Sequence, residues 1–550
     1  MGRSSVERLA NCSQTGIAKV VVAVLAPAIL LACACSARAG VGADFNGDGR
    51  DDLAIHAQFE RVGNMNGAVH VLYGARHGLS VQGDQLFGAD TPGLHGGGRS
   101  DDNTFGYTLV GGDFNGDGYD DLAIGVPFKT VSVPNYGAGG VHILYGSRRG
   151  LVLRGNQYLN ENTPGVKGPK AGFDHGFGSA LAAADFNRDG RDDLAVGVKG
   201  EPVLSDSTED GAVRVFYGGR NRLSLRGDQY MTPTTPGMTR HNAGRRGLEA
   251  EFGSTLAAGD LNGDGTSDLA IGARSQLVGG EKYAGAVRVL HGGPRGLTLK
   301  HDQFLNENSK GIAGDGAEFG DEFGGSLAIG RFNSDRRGDL AIGVPQECLG
   351  SCDLHYNGAV HVLYGGQRKL SLRGDQYFTE RSVGSANPKQ QTQFGRSLEA
   401  ADLDGNGRQD LAIGAPWEHV AGIISAGTVR VLYATKRLSV AGTRRLTERT
   451  RGLAGAGPAT ADQFGFALGS GDFNGSGRAD LAIGALQTDY DEDDQCLTGA
   501  AGGAVHVLYG IGRHVRLGPN QFLTEDTPGI AGAGSTPCDG FGFSFGQGPG

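Results

Sequence analysis

The chain has little of several residue types that mark membrane proteins and common enzyme classes. Its 550 residues include one tryptophan, four methionines and seven cysteines. Beyond Ala34 no apolar run approaches the ~20 residues that a transmembrane helix requires. A zinc-binding His-Glu-x-x-His pair and a phosphate-cradling Gly-Lys-Ser loop are also missing. These absences argue against a membrane span beyond the start of the chain. They make an enzyme the less favoured prediction, although a catalytic site assembled from distant segments would leave no such motif.

The start of the chain is typical of an export signal. A weakly basic lead-in precedes an apolar run from Val20 to Ala34, which is short for a bilayer span, and Ala37-Arg38-Ala39 resembles a cleavage site. We therefore predict a signal peptide over residues 1–39 and a mature chain from Gly40 that is secreted, periplasmic or at the cell surface. Lipoprotein processing at Cys33 is the alternative, and it would leave a lipid anchor.

Four cysteines remain in the mature part, namely Cys348, Cys352, Cys496 and Cys538. An even number in an oxidising compartment predicts two disulfides, and Cys348 with Cys352 is the easiest pairing. A zinc site is the alternative, but the second closely spaced pair that it needs is absent.

Glycine is abundant, with 99 residues, and the net charge is −10. Glycine supplies the positive φ angles of tight turns, so this composition favours many short strands. The acidic balance argues against a nucleic-acid partner, which requires a basic surface.

One phrase recurs seven times and decides the predicted architecture. Its copies begin at Asp44, Asp113, Asp185, Asp260, Arg331, Asp402 and Asp472, with spacings of 69, 72, 75, 71, 71 and 70 residues. Each unit supplies four short apolar segments with the pattern of strands: a Phe-Gly segment, Asp-Leu-Ala-Ile-Gly, Ala-Val-His-Val-Leu-Tyr-Gly and Leu-Ser-Leu-Arg-Gly. Four strands repeated seven times predict an all-β protein, a seven-bladed β-propeller of antiparallel strands over residues 40–550.

The two ends of the chain are predicted to meet in one blade. The loop at Asp44 has no Phe-Gly segment before it, whereas an extra Phe-Gly segment begins at Phe541, near the C-terminus. This C-terminal strand would complete the first blade, close the ring and protect the sheet edges.

These motifs resemble the FG-GAP repeat of the integrin α-subunit propeller. In two clear copies Phe394-Gly395 leads through an acidic loop to Gly414-Ala415-Pro416, and Phe105-Gly106 leads to Gly125-Val126-Pro127. The resemblance covers essentially the whole mature chain. It implies a seven-bladed propeller, calcium in the loops and an extracellular recognition role.

The acidic loops themselves predict calcium sites. Counted from the first Asp, oxygen-bearing side chains stand at positions 1, 3, 5 and 9, with glycine at position 6, and alternate positions of a tight loop turn inward around one point. Such oxygen ligands suit Ca²⁺ better than Mg²⁺, Zn²⁺ or Cu²⁺. Turn formation alone would explain one loop but not the repeated pattern. The predicted ligands in six loops are Asp44, Asn46, Asp48, Asp52, Asp113, Asn115, Asp117, Asp121, Asp185, Asn187, Asp189, Asp193, Asp260, Asn262, Asp264, Asp268, Asp402, Asp404, Asn406, Asp410, Asp472, Asn474, Ser476 and Asp480.

The fifth loop breaks the pattern. Arg331 replaces the first Asp and Arg336 replaces the glycine, which leaves Asn333, Asp335 and Asp339. We predict that this loop holds no metal because a guanidinium takes the place of the ion.

Two further features favour structural interpretations, and a third stays open. The triplet Arg-Gly-Asp occurs at 226–228, 337–339 and 373–375, but at repeated structural positions, so adhesion through it is not expected. One strand position alternates between His and Arg, which predicts a partly exposed strand face rather than a metal site; its histidines are His70, His142, His361 and His506. The single tryptophan, Trp417, is either a ligand platform or a packing residue.

Two functions remain from different classes. The first is a non-enzymatic adhesion or surface-recognition module that binds an extracellular protein or polysaccharide on the face opposite the calcium loops. The longer and more varied loops belong to that face, at 231–251, 346–357 and 486–502. The alternative is a hydrolase of a lipid-linked or glycan substrate, since FG-GAP-like propellers also accompany a phosphatidylinositol-glycan phospholipase. There the catalytic part is a separate domain, for which this chain has no room, and this favours the first function.

Overall fold

Antiparallel β-strands form the regular structure of the protein in a computed structural model. The described residues are 42–62, 65–97, 105–131, 135–203, 210–238, 250–349, 357–384, 391–455, 457–486, 502–511, 514–532 and 540–546. Their strands are β1 (Leu53–Val62), β2 (Met65–Ala75), β3 (Gly78–Gly88), β4 (Thr108–Gly112), β5 (Asp121–Val126), β6 (Gly140–Tyr145), β7 (Val152–Leu159), β8 (Phe177–Ala184), β9 (Asp193–Val198), β10 (Ala212–Tyr217), β11 (Ser224–Met231), β12 (Phe252–Gly259), β13 (Asp268–Ala273), β14 (Ala286–His291), β15 (Thr298–Leu305), β16 (Ser326–Gly330), β17 (Asp339–Val344), β18 (Ala359–Tyr364), β19 (Ser371–Thr379), β20 (Ser397–Ala401), β21 (Asp410–Ala415), β22 (Thr428–Ala434), β23 (Leu438–Leu446), β24 (Leu468–Gly471), β25 (Asp480–Ala485), β26 (Ala504–Ile511), β27 (His514–Leu523) and β28 (Phe541–Gly546).

The strands assemble into seven four-stranded sheets, which are the blades of a propeller. Blades 2 to 7 take four consecutive strands each, from β4–β7 to β24–β27, and blade 1 has the order β28-β1-β2-β3. In blade 1 the pairs Ile55 with Phe545 and Ala57 with Phe541 join the C-terminal strand to the first strand of the chain. The predicted all-β seven-bladed fold and its closure are confirmed.

The repeated Asp-Leu-Ala-Ile-Gly segment forms the second strand of each blade. In β5 every residue is buried, because this strand has a neighbour on each side within its sheet and a packed blade on each face. Such a strand is continuously apolar rather than alternating. The core lies between blades: Val69 and Val71 of blade 1 share one cluster with Leu122 and Ile124 of blade 2.

The Phe-Gly pair is explained by the start of the first strand in each blade. Phe177 is fully buried, and its N–H donates to the carbonyl of Ala138 in the preceding blade at 3.0 Å. Gly178 has φ +92°, and a Cβ there would lie 2.8 Å from the carbonyl oxygen of Gly140. Only glycine meets both conditions without strain.

Backbone hydrogen bonds tie the seven acidic loops into a closed ring. In each loop the N–H of position 8 donates to the carbonyl of position 1 in the loop of the preceding blade. The bonds run from Asp120 to Asp44 (3.1 Å), Asp192 to Asp113 (3.1 Å), Ser267 to Asp185 (3.1 Å), Gly338 to Asp260 (2.7 Å), Gln409 to Arg331 (3.1 Å), Ala479 to Asp402 (3.3 Å) and Asp51 to Asp472 (3.2 Å).

The propeller has two different faces. The acidic loops share one face with the turns between third and fourth strands, since Gly146 N donates to Asp121 Oδ1 at 2.8 Å and Ser147 N to the carbonyl of Phe45 at 3.1 Å. We call this the loop face. The opposite side, where the Phe-Gly pairs lie, is the Phe-Gly face. Among the described residues no helix is long and apolar enough to cross a membrane.

Some predictions fall outside the described residues. They include the signal peptide over 1–39 with Cys33, three of the four mature cysteines, and most of the varied loops at 231–251, 346–357 and 486–502. Cys348 is described and buried. The two disulfides remain a prediction.

Candidate functional site

Six of the seven acidic loops fold around the carboxylate at position 1. In the second loop Asp113 Oδ1 accepts from Gly116 N at 2.7 Å and Asp117 N at 3.1 Å, and Asp113 Oδ2 accepts from Gly118 N at 2.9 Å. The bond from position 6 to position 1 recurs from Gly49 to Asp44 (2.9 Å), Gly190 to Asp185 (2.9 Å), Gly265 to Asp260 (2.9 Å), Gly407 to Asp402 (2.7 Å) and Gly477 to Asp472 (2.6 Å). The position 6 glycine takes a positive φ to donate it, +88° at Gly118.

The Asp at position 9 lies at the base of the loop. Asp121 is fully buried, and its Oδ2 accepts from Phe114 N at 3.0 Å. Burial, with further contributions from Asp113 and Asp117, raises the pKa of Asp121 to about 9. Burial likewise raises the pKa of the equivalent carboxyl groups, to about 8 for Asp52, Asp193, Asp410 and Asp480, to about 7 for Asp339, and above its usual range for Asp268. Because burial disfavours the charged form of these clustered carboxyl groups, a bound cation would stabilise them as carboxylates.

The loops bring part of the predicted ligand set together. In the sixth loop, carboxylate oxygens of Asp402, Asp404 and Asp410 all lie within 4.8 Å of one another, whereas the three Asp residues of each of the first four loops do not all come that close. At position 3, Asn115 Nδ2 lies 3.3 Å from both carboxylate oxygens of Asp121. The corresponding Asn to Asp distances are 3.5 Å for Asn46 and Asp52, 3.2 Å for Asn187 and Asp193, 3.3 Å for Asn262 and Asp268, and 3.1 Å for Asn474 and Asp480.

The fifth loop departs from the pattern of the other six loops. Arg331 offers no carboxylate at position 1, and Arg336 takes φ +79°, where glycine is favoured. Within the described part of the chain, neither of these arginines forms an ion pair with Asp335 or Asp339. Arg337 lies 3.4 Å from Asp335, but the first loop, which has the full acidic pattern, contains the same contact. The structure therefore gives no support to the predicted replacement of the ion by a guanidinium, and what distinguishes this loop is the missing first carboxylate.

The predicted partly exposed face of the His and Arg strand position was wrong. The exposed fractions are 0% for His70, His142, Arg214, His361 and His506, 1% for Arg430 and 5% for Arg288. This position faces the junction between blades, where acidic residues of the preceding blade meet it: Arg214 Nη2 lies 2.6 Å from Glu161 Oε1 of blade 2 and 2.9 Å from Glu201 Oε2 of its own blade. The Arg-Gly-Asp triplets are structural as expected, since the side chains of Asp228, Asp339 and Asp375 are almost completely buried.

A second candidate site surrounds the mouth of the central channel on the Phe-Gly face. First strands of the blades line the channel, which holds a cavity of about 100 Å³ bordered by Leu109, Leu181, Leu256, Leu327 and Leu398 among others. The residue after each Phe-Gly pair lies at the top of such a strand and so at the mouth.

Five half-buried aromatic rings form a continuous arc over half of this mouth. Ring centroids are 5.3 Å apart for Phe128 and Tyr107, 5.6 Å for Tyr107 and Phe543, 5.3 Å for Phe543 and Phe466, and 6.1 Å for Phe466 and Trp417. We call these five residues the aromatic arc. It spans blades 2, 1, 7 and 6, and it gives Trp417 a place at the mouth.

Charged side chains border the aromatic arc. Arg396 lies over the ring of Phe466 at 5.4 Å and Lys199 over that of Phe128 at 5.9 Å, so that one cation stands toward each end of the arc. In blade 4, Arg274 Nη2 donates to Glu251 Oε1 at 3.2 Å. Aromatic rings with a few neighbouring charged groups are common in ligand-binding sites.

Sequence reasoning missed the aromatic arc, although a signal was present. The residue after Phe-Gly is aromatic or Arg at Tyr107, Arg396, Phe466 and Phe543, and small at Ser179, Ser254 and Gly325. Sequence reasoning also did not notice that Gly542-Phe543-Ser544-Phe545-Gly546 matches the Gly-x-Ser-x-Gly pattern of a serine nucleophile elbow. Ser544 lies within β28 rather than at a turn between strand and helix, and its hydroxyl donates to Gly106 O at 2.9 Å.

Comparison with known proteins agrees with the repeats. A protein-family model described as the FG-GAP repeat matches residues 36–72, 105–144, 177–216, 252–290 and 394–432. The chain contains FG-GAP repeats. The matches fall in blades 1, 2, 3, 4 and 6 of the seven-bladed propeller.

Two groups of curated relatives share these FG-GAP sequences. The chain is 34% identical to the phosphatidylinositol-glycan-specific phospholipase D of Rattus norvegicus over 189 residues, 34% of this chain and 21% of that protein. It is 35% identical to integrin alpha-5 of Xenopus laevis over 210 residues, 37% of this chain and 17% of that protein. The matched regions thus span about a fifth of each relative. Among solved structures, the periplasmic gluconolactonase of Pseudomonas aeruginosa aligns with a TM-score of 0.36 and 12% identity over 86% of this chain and 99% of that one.

Proposed function

We propose that this FG-GAP propeller is an exported recognition module that binds a surface polysaccharide at the channel mouth without turning it over. The aromatic arc carries this proposal. Its rings contact one another and are half-buried; Tyr107, Phe466 and Phe543 lie in or next to the innermost strands of the closed ring, and Phe128 and Trp417 follow the second strands. A site on such a rigid scaffold is preorganised, which reduces the entropy lost on binding.

The chemistry of the mouth suits a glycan chain. Aromatic side chains offer broad apolar faces to the C–H face of a sugar ring, while neighbouring polar groups hydrogen-bond the hydroxyl groups. Lys199, Arg274 and Arg396 add positive charge, while Glu251 pairs with Arg274 and Glu322 interacts with Arg274 and Arg396. The one positive charge left in excess favours a polysaccharide that carries carboxylate or phosphate groups.

The outer loops of the same face supply a further contact surface. Five large hydrophobic residues in these loops are exposed: Tyr136 (47%), Phe173 (71%), Tyr283 (39%), Phe319 (63%) and Ile424 (56%). Tyr283 and Phe319 pack edge to face with centroids 6.0 Å apart. Exposed apolar residues that gather on one face support an interaction face there.

Calcium has a structural part in the proposed function. We propose Ca²⁺ ligands at positions 1, 3, 5 and 9 of six loops, where no His or Cys stands, and no ligand set in the fifth loop. In the fourth loop His291 Nδ1 lies 3.0 Å from Asp268 Oδ2, beside the proposed ligands. Since each loop bonds to the next through its position 8 amide, an ion that orders one loop also stabilises the junction beside it. Its binding free energy then adds to the stability of the folded ring.

A polysaccharide array separates this function from its rivals. Purified protein in calcium is expected to bind anionic glycans, and W417A or F466A is expected to weaken binding at least about tenfold, since aromatic anchors commonly contribute more than 1 kcal/mol. V440A, at a residue of the outer strand β23 that is 47% exposed and lies outside both the arc and the outer loops, is the control and should bind as the unaltered protein does.

Other outcomes would replace the proposal. Release of shortened glycan or cleaved lipid-linked substrate would establish a hydrolase. Binding to surface proteins that is lost in F173A but kept in W417A would establish a protein-binding face on the outer loops. Measuring the unfolding temperature of each variant shows whether a loss of binding comes from the site or from the fold.

A further inference from the structure

Three carboxylates that belong neither to the acidic loops nor to the channel mouth meet at the junction of blades 4 and 5. Glu307 follows β15, Asp321 precedes β16 and Glu347 follows β17, with exposed fractions of 5%, 1% and 1%. One oxygen from each lies within 4.8 Å of the others. Carboxyl groups brought this close in a buried place are stable only if they share protons or bind a compensating cation.

His361 of β18 lies beside Glu307, one member of this group, and is only partly engaged. Its Nδ1 lies 3.0 Å from Asp375 Oδ2, so a proton on Nδ1 donates to that carboxylate. Its Nε2 lies 3.4 Å from Glu307 Oε1, and it has no hydrogen-bond partner among the residues that the structure describes. Glu307 Oε2 and Glu347 Oε2 likewise have no hydrogen-bond partner among the described residues. An imidazole fixed by a carboxylate on one nitrogen, with the other nitrogen available, is the arrangement of metal-binding histidines.

The equivalent junction between blades 2 and 3 shows what a cation does there. Glu161 and Glu201 hold the positions of Glu307 and Glu347, and Arg214 holds that of His361. Arg214 Nη2 lies between the two carboxylates, at 2.6 Å and 2.9 Å.

At the junction between blades 5 and 6, two arginines compensate the buried carboxylate. Arg430 and Arg445 lie 3.0 Å and 2.8 Å from the two oxygens of Glu418. Between blades 7 and 1, His70 already uses both ring nitrogens, on Glu60 at 2.6 Å and Asp84 at 3.0 Å. Among the described residues, the junction of blades 4 and 5 has neither an arginine paired with these carboxylates nor a histidine paired through both ring nitrogens.

We propose that a divalent transition-metal cation of the Zn²⁺ type binds at this junction, held by carboxylate oxygens of Glu307, Asp321 and Glu347 and by His361 Nε2. The imidazole nitrogen distinguishes the site from the all-oxygen acidic loops and favours a transition metal over Ca²⁺. Tyr377 is a second neighbour that donates its hydroxyl hydrogen to Glu347 Oε1 at 3.1 Å. The metal links an outer turn of blade 4 to blade 5, as Arg214 links blades 2 and 3.

The test uses the purified full chain in excess Ca²⁺, which saturates the acidic loops. The protein is stripped of transition metals, titrated with Zn²⁺, dialysed and assayed for bound zinc and for unfolding temperature. We expect about one retained zinc per chain and a higher unfolding temperature with zinc. Co²⁺ in place of Zn²⁺ should give visible absorption bands that report the nitrogen ligand.

The matched variant is H361R/D321H, which recreates the residues of the blade 2 and 3 junction, where His175 stands at the position of Asp321 and bonds Glu161 at 2.7 Å. It should fold without metal and lose the retained zinc and the cobalt bands. E347Q, a change of one atom, should weaken zinc binding at least tenfold and decides the matter if the double variant does not fold. Failure of the unaltered protein to retain zinc, or equal retention by the variants, would overturn the proposal. Glycan binding is independent of both results.

Discussion

Gln521 of β27 and Leu79 of β3 bond each other across the closure of the ring, 442 residues apart. The side-chain oxygen of Gln521 accepts from Leu79 N at 2.9 Å, and its amide group donates to Leu79 O at 2.9 Å. Gln85 and Leu151 make the same pair between blades 1 and 2, at 3.0 Å and 3.1 Å. The closing junction is therefore built like an internal one, and the C-terminal strand seals it.

The first prediction concerns that strand. Phe545, 6% exposed, packs in the core between blades 7 and 1, so F545A should lower the free energy of unfolding by about 3–5 kcal/mol. Phe543, two residues earlier and half-buried at the mouth, is the control, and F543A should cost less than half as much. Denaturant unfolding measures both. Equal losses would contradict the assignment of one residue to the core and the other to the binding site.

The second prediction transfers the calcium pattern between loops. R331D/R336G gives the fifth loop the missing carboxylate and a glycine where φ is +79°, and it should raise the number of bound Ca²⁺ ions by one. D113R should lower that number by one, because it removes the carboxylate around which the second loop folds. Equilibrium dialysis with calcium counts the ions. An unchanged count in R331D/R336G would mean that position 1 does not determine binding.

The third prediction concerns the buried pairs at blade junctions. R214M leaves Glu161 and Glu201 buried without their shared cation and should destabilise the protein by about 3–5 kcal/mol. Adding E161Q and E201Q should recover part of that loss, because neutral amides are less costly to bury. R226M, at an exposed position, is the control. Urea unfolding compares the four proteins, and a triple variant no more stable than R214M would argue that lost packing, rather than charge, explains the effect.

The fourth prediction is a pH dependence due to His142. Burial, and then the charge of Lys129, lowers the pKa of His142 from 6.5 to about 3 in the folded protein. Below pH 6.5 the unfolded chain therefore binds a proton that the folded chain does not, and stability falls as the pH falls toward 3, by about 1.4 kcal/mol per unit for this group. Neither ring nitrogen has a hydrogen-bond partner in the described structure, so Phe can replace the ring.

The measurement follows the difference in unfolding free energy between the unaltered protein and H142F from pH 7 to pH 4. The variant should become relatively more stable as the pH falls. H77Q, at an exposed position, should show no such trend. A constant difference between the unaltered protein and H142F would rule out His142 as the source.

The sequence predicts the blades because their signals are local. A Phe-Gly pair, an acidic loop and an apolar strand stand within about 20 residues of one another, and their period alone sets the number of blades. The blade junctions are different. Arg214 bonds Glu161, which lies 53 residues earlier in another blade. Because the sequence does not show such distant partners, the alternation of His and Arg on one strand wrongly predicted an exposed face.

The aromatic arc was hidden for a related reason. Phe543 and Phe466 stack although they lie in different blades, and Phe543 and Tyr107 come from opposite ends of the chain. Only closure of the ring places them side by side. Comparing the residue after each Phe-Gly pair across the repeats would have indicated the arc, because this residue varies from blade to blade while the Phe-Gly pair beside it does not.

Closure of the ring within blade 1 also places both ends of the described chain on the same face of the propeller. Gly546 pairs beside Ala54, and Ala43 bridges Asp52, so both ends of the described chain leave the molecule next to the first acidic loop. A segment attached at either end would therefore leave from the loop face, on the side opposite the aromatic arc. Immobilising the protein through either terminus on a sensor chip, or fusing it to a display scaffold, therefore leaves the mouth open to large ligands.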